Sequence, residues 1–213
     1  IILRIGDVLL AEGKYRNSIS FLDSVYNIYN IPDIKNKLVE VHLFSGNPDT
    51  ALSIINEIFS SITPMNIGFN DLMEIRDIIN YYYIDVDESG KQAFKQFLKA
   101  EYLLKQRKIS EASQLLNHII NKNYDLKIIP MISLRRAILL MRMKSYDQAL
   151  NQIASIENTL FGDKSIIMSG QIHEQVYNDN EKAMEYYMRI INDFTDSVYF
   201  EPIRYHIRKL NNS

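Results

Sequence analysis

Six consecutive residues, Asp85-Val86-Asp87-Glu88-Ser89-Gly90, carry the sharpest chemical signal in this 213-residue chain. Asp, Asp and Ser at alternate positions, then Gly, imitate the opening of a calcium loop, where oxygens converge on a hard cation and glycine makes the turn. The series fails where the loop should close. The expected bidentate carboxylate at residue 96 is Gln96, and the apolar position at residue 92 is Gln92. The competing reading is a helix start, with Ser89 as the capping hydroxyl and Gln92 as its reciprocal partner. His42, His118, His173 and His206 stand singly, without a second ligand in metal register, and Glu174 beside His173 points to another helix face. No Ser/His/Asp series, phosphate-cradling glycine loop or Gly-x-Ser-x-Gly occurs. The expectation is a non-catalytic chain with no metal and no cofactor.

Charge is segregated along the chain, although its formal sum is only −2. Asp71, Glu74, Asp77, Asp85, Asp87 and Glu88 have one base among them, Arg76; Lys122, Lys127, Arg135, Arg136, Arg142 and Lys144 have one acid, Asp125. Such runs are ordinarily solvated helix faces, and their functional reading is two opposite patches on one curved surface. The near-neutral total gives no bulk attraction to nucleic acid or anionic membrane. The basic run also lacks interleaved stacking aromatics, so nucleic acid is not an expected partner. Tyr81-Tyr82-Tyr83 and the methionines Met131, Met141 and Met143 have two readings, core filling or peptide-contact surface. Zero cysteines exclude disulfides and thiolate metal sites. No apolar run approaches the roughly 18–20 residues needed to cross a bilayer. The opening IILRIGDVLL, without Met or a basic leader, reads as a fragment or processed product, which leaves open whether a signal peptide precedes it.

The elements that must position these groups are helices. From about Leu3 to Tyr29, Ile5, Gly6 and Leu9 share one face, Gly13 marks a turn, and Tyr15, Ser18, Leu22 and Val25 share the next face. Gly6 and Ser18 are small where two antiparallel helices need close approach. Leu38, Val39 and His42, then Gly46, then Ala51, Ile55 and Ile58 repeat the scheme, with Pro48 suited to a first helical turn. Gly13 to Gly46 and Ser18 to Ala51 are each 33 residues, two markers with one offset. The period lapses between Ser60 and Gly90, where TPMNIGF reads as a loop and DLMEIRDIINYYYI as one helix. It returns with Ala100, Ala112 and Leu116, with Ala137, Tyr146 and Ala149, and with Ala183, Tyr187 and Ile190. In SVYFEPIRYHIRKL, Tyr199, Ile203, Ile207 and Leu210 form one stripe, and Pro202 requires the helix to start near Phe200.

These spacings resemble the tetratricopeptide repeat, helix pairs of about 34 residues stacked into a superhelix. The supporting sets are Gly6/Gly13/Tyr15/Ser18, Leu38/Gly46/Ala51, Ala100/Ala112/Leu116, Ala137/Tyr146/Ala149 and Ala183/Tyr187. The copies are divergent: the aromatic early in the first helices and the proline closing each unit are mostly absent. The closing segment is similar to that of bacterial envelope repeat proteins, with Phe194-Thr195-Asp196-Ser197 replacing a Tyr-Pro-x-Ser tetrad and Arg204 and Arg208 in the last helix. The resemblance implies an all-α, right-handed α-solenoid of about six helix pairs with a C-terminal capping helix. It would form a single array over 1–213, with units near 1–30, 31–61, 62–90 (irregular), 91–122, 123–159 and 160–196 and the cap at 197–211. By family phase the concave face would carry Asn36, Glu40, Phe44, Phe97, Glu101 and Lys105, followed by Leu134, Ile138, Arg142, Met168, Ile172 and Gln175. The implied function is a protein–protein interaction scaffold holding a peptide or partner segment in that groove. The implied setting is a bacterial cell envelope, in the periplasm or at the outer-membrane periphery. The rival expectations are a structural arm of a larger assembly and a helical domain attached to an enzyme.

Overall fold

The computed structural model describes residues 1–122 and 126–210, and every regular element among them is helical. Asp125, the boundary at residue 123 and the end of the expected cap at residue 211 lie outside the described residues. The chain forms two compact units, Ile1–Ile128 and Ile129–Ser213.

In the first unit, α1 (Ile2–Ala11) pairs with α2 (Tyr15–Tyr29), α3 (Pro32–Phe44) with α4 (Pro48–Phe59), and α6 (Glu88–Lys105) with α7 (Ile109–Lys122). Between the second and third of these pairs stands α5 (Phe69–Ile79), the single helix expected of the irregular stretch. Small residues set the close approaches. Ser18 donates its hydroxyl to the Gly6 carbonyl at 3.2 Å, and a Cβ on Gly6 would come within 3.3 Å of Leu22. Ala51, Ala100 and Ala112 are likewise fully buried, and Leu10, Leu22, Ile34, Leu38 and Val41 form one core cluster. Pro32 and Pro48 both stand in first turns, where a missing N–H costs no helical bond.

α5 runs into a π-helical turn, Asn80–Ile84, where the Asp85 N–H donates to the Asn80 carbonyl at 2.9 Å. The wider turn rotates Tyr82 and Tyr83 into the protein and leaves Tyr81 exposed. Tyr83 donates to Asp49 at 2.7 Å. Burial, reinforced by this carboxylate, pushes its phenol up to about 12.

In the second unit, α8 (Ile129–Arg142) pairs with α9 (Tyr146–Ala154) and α10 (Gly162–Gln175) with α11 (Asn180–Asp193). Ala137, Leu140, Ala149 and Ile153 share one cluster, and Ala183, Tyr187 and Ile190 another. The second cluster is covered by α12 (Phe200–Leu210), which starts where Pro202 requires. Ile203 and Ile207 are buried in it, with Tyr199 and Leu210 packed alongside. A carboxylate crosses the same interface: Glu174 accepts from Tyr187 at 2.6 Å and meets His206 Nε2 at 2.9 Å. Burial alone would raise the Glu174 carboxyl, but these two hydrogen bonds and the His206 ring outweigh it and hold the carboxyl below its usual value. Tyr187 is pushed strongly upward, by burial first and the carboxylate second.

Candidate partner-binding site

In the first unit the expected concave residues meet one another. α6 lies against both α3 and α1. Lys105 Nζ is 2.6 Å from Glu40 Oε1 and 5.5 Å from the centre of the Phe44 ring. Tyr102 stacks on Phe44 at 6.2 Å and meets Tyr15 edge-on at 5.9 Å. Glu40 is further engaged by Lys37, which also reaches Asp7 on α1. The half-exposed Lys105–Glu40 pair is worth about 0.2–1 kcal/mol. Each aromatic contact adds about 0.5–1.5 kcal/mol beyond its buried area, so Tyr102 is the stronger clasp. Asn36, Phe97 and Glu101 are half-buried, with Phe97 against Phe94 at 6.4 Å. α6 therefore packs beside α3 and α1, with Tyr102 and Lys105 engaging Phe44 and Glu40, while the expected residues of this face stay partly exposed. Tyr102, the centre of that contact, was not singled out by sequence, because its partners lie 58 and 87 residues away.

The second unit keeps more of its expected face. Leu134 and Ile138 on α8 are partly exposed, Arg142 and Gln175 are exposed at helix ends, and Met168 packs partly against the Ala137 cluster. Ile172 departs from expectation: it is 0% exposed and belongs to that cluster. The cause is the surroundings of α10, which packs against both α9 and α11 and buries Ile166, Ile167, Ser169 and Gly170 as well as Ile172. A step of four residues from Met168 therefore does not repeat its exposure.

The calcium-like motif is a helix start, but its cap is Asp87 and not Ser89. Asp87 Oδ1 accepts the Gly90 N–H at 2.8 Å, Ser89 lies inside the first turn, and Gln92 donates to Glu88 at 3.0 Å. Gly90 is small for a local reason: a Cβ there would fall 2.7 Å from that of Val86. Among the described residues no group of three or more His, Cys, Asp or Glu is placed to hold a metal ion. His118 is exposed, and burial keeps the His42 ring below its ordinary value. His173 stacks on Tyr186 at 5.5 Å. The Glu174–His206 pair escaped the sequence reading because 32 residues separate its members.

The acidic stretch is solvated. Asp71, Glu74, Asp77, Asp85, Asp87 and Glu88 are all exposed. Its base, Arg76, is drawn to the Phe59 ring at 4.9 Å and to the Met73 sulfur at 3.1 Å, leaving a 3.8 Å approach to Asp77. In the basic stretch, Lys127 caps the Tyr81 ring at 3.2 Å and Arg136 donates to Gln152 at 2.5 Å, while Arg142 and Lys144 are exposed. Of the methionines, Met141 packs into the Ala137 cluster and Met143 is exposed. No helix among the described residues is long and apolar enough to cross a membrane.

Residues 70–211, well over half of the chain, match the family described as tetratricopeptide repeat-like domain. A solved structure described as the functional characterization of Pseudomonas aeruginosa pilF aligns with 96% of this chain over 96% of its own, at 14% identity and a TM-score of 0.41. No curated protein sequence matches the chain.

Proposed function

The chain belongs to the tetratricopeptide repeat-like family, and from that premise we propose that it is a non-catalytic scaffold holding a peptide or partner segment. One observation carries the choice of surface. In the first unit Glu40 and the Phe44 ring are already engaged by Lys105 and Tyr102 of α6, whereas in the second Leu134, Ile138 and Met168 are partly exposed beside Gln175 and an Arg142 that has no ion pair among the described residues. Apolar side chains flanked by an exposed guanidinium suit a segment with apolar anchors and a neighbouring carboxylate. The likeness of the closing segment to bacterial envelope repeat proteins supports a cell-envelope setting. A second reading, a structural arm of a larger assembly, is favoured by α1, whose Ile5 and Val8 are exposed together with Ile1 just before it.

The test is selection of 12-residue peptides from a random display library on the whole chain, followed by titration of the selected peptides. Ile138→Asp and Arg142→Glu should each weaken binding about tenfold with unchanged melting temperature, and Lys105→Glu should leave it intact. Peptides indifferent to both α8 variants would overturn this surface.

A further inference from the structure

We propose that the hollow beside the π-helical turn is a seat for the cationic tip of a partner's lysine or arginine side chain. This deepens the scaffold reading and rests on it. The hollow is shallow and open to solvent, with a volume of about 640 Å³, and is lined by Glu74, Asp77, Ile78, Tyr81, Tyr82 and Asp85, together with Asn80.

Its three carboxylates are poorly neutralised. Glu74 and Asp85 have no ion pair among the described residues, and Arg76 approaches Asp77 only at 3.8 Å while lying over Phe59. These acids do not converge tightly enough to hold a metal ion. They impose a spread negative potential, which suits a larger organic cation that keeps part of its hydration.

Two further observations point to the same ligand. The Tyr81 ring already receives a cation, since Lys127 Nζ stands 3.2 Å from its centre. The protein's own ammonium thus shows what the ring face accepts. Tyr82 lines the hollow with only 7% of its surface exposed, edge-on to Tyr81 at 4.7 Å. Its hydroxyl has no hydrogen-bond partner among the described residues, so it remains able to accept an N–H. The π-helical turn brings these features together. By widening one turn it buries Tyr82 while leaving its neighbour Tyr81 at 43% exposure, above the acids Glu74 and Asp77 of the preceding helix. A lysine or arginine delivers a charge on a long apolar stem, matching the aromatic wall and Ile78 with the one and the carboxylates with the other.

The test titrates the isotope-labelled full chain with a capped Gly-Arg-Gly-Arg-Gly peptide and follows amide shifts, with the same peptide carrying Glu for Arg as control. Shifts should centre on Glu74–Asp85 and Lys127 and be absent with the control. Asp77→Asn combined with Asp85→Asn should weaken binding about fivefold or more. Asp71→Asn combined with Glu88→Gln removes the same charge outside the hollow and should change it less than twofold. Lys127→Ala, which removes both a competing cation and a repulsive charge, should tighten binding about two- to fivefold. Tyr81→Phe should bind like the parent and Tyr81→Ala should not. Equal weakening by the two acid pairs, or shifts centred elsewhere, would overturn the seat. Display-selected peptides that bind through α8 while the arginine peptide does not would defeat this inference alone. The opposite result would defeat the α8 surface alone.

Discussion

His206 Nε2 lies 2.9 Å from Glu174 Oε2, and the same oxygen accepts the Tyr187 hydroxyl at 2.6 Å. One carboxylate thereby ties α11 and α12 to α10. Tyr187 is almost wholly buried, so removing its acceptor strands a phenol that water cannot easily reach. Glu174→Ala should destabilise the second unit by about 1–3 kcal/mol. Glu174→Gln, which retains an acceptor, should cost less. Urea unfolding of the two variants beside the parent checks the order.

The same carboxylate makes a pH prediction. Burial works to raise the Glu174 carboxyl, but the Tyr187 and His206 hydrogen bonds win, so its folded value lies below its ordinary value of 4.5. A carboxyl depressed by folding contributes stability that is fully present above the ordinary value and is lost as pH falls through the folded one. The stability gap between the parent and Glu174→Gln should be present near pH 5 and shrink as pH falls below about 4.5. Urea midpoints across that range are the measurement. A gap that widens on acidification would contradict it.

The turns between paired helices give a third prediction. Gly13 and Gly46 have φ of 81° and 80°, and the corresponding turns of the later pairs place Arg107 at 61°, Lys144 at 58° and Asn178 at 54°. An L-residue pays about 1 kcal/mol for that conformation, which glycine avoids. Arg107→Gly and Lys144→Gly should therefore raise stability, by up to about 1 kcal/mol each after glycine's own entropy cost. Gly46→Ala should lower it by about 1–2 kcal/mol. Thermal melts of the single variants distinguish the signs.

These turns also show what was legible in the sequence. The register was readable where chemistry forces a residue type: Gly13 and Gly46 at left-handed turns, Ala51, Ala112, Ala149 and Ala183 where helices touch, and Pro202 in a first turn. It was hidden where another residue tolerates the same position, as Arg107 and Lys144 do. Exposure was harder, because it depends on what covers a helix. Phase alone could not show that α6 lies over Phe44, nor that α10 is packed on two sides so that Ile172 is buried. The Tyr81–Lys127 contact joins residues 46 apart and left no local trace.

The closure of the first unit predicts an imbalance between charge and aromatic packing. Tyr102 joins Tyr15, Phe44 and the Leu10–Leu22 cluster, while Lys105 holds Glu40 from a largely solvated position. Tyr102→Ala should cost about 2–4 kcal/mol, allowing for its partial exposure. Lys105→Ala should cost less than about 1 kcal/mol. Hydrogen exchange should show faster exchange at the C-terminal end of α6 in the first variant and little change in the second. Similar protection in both would mean that the aromatic clasp does not hold α6.

The terminal helix provides the last prediction. Ile203 and Ile207 are buried against the Ala183, Tyr187 and Ile190 face, and their removal from water is worth about 1.5–3 kcal/mol each. Tyr199, Leu210 and the His206–Glu174 contact add to this cover. Deleting residues 197–213 also breaks the bond by which Ser197 donates to Asp163 at 2.7 Å. The truncated chain should lose several kcal/mol in the second unit and expose an apolar face. It should elute as larger species at concentrations where the parent is monodisperse. The Leu10–Val41 cluster of the first unit receives none of these contacts and should keep its hydrogen-exchange protection. Ile203→Asp combined with Ile207→Asp should reproduce the effect with the chain at full length, separating loss of the apolar stripe from loss of the segment. A truncated chain that elutes unchanged and melts at the parent temperature would show that α12 is not the cover of this end.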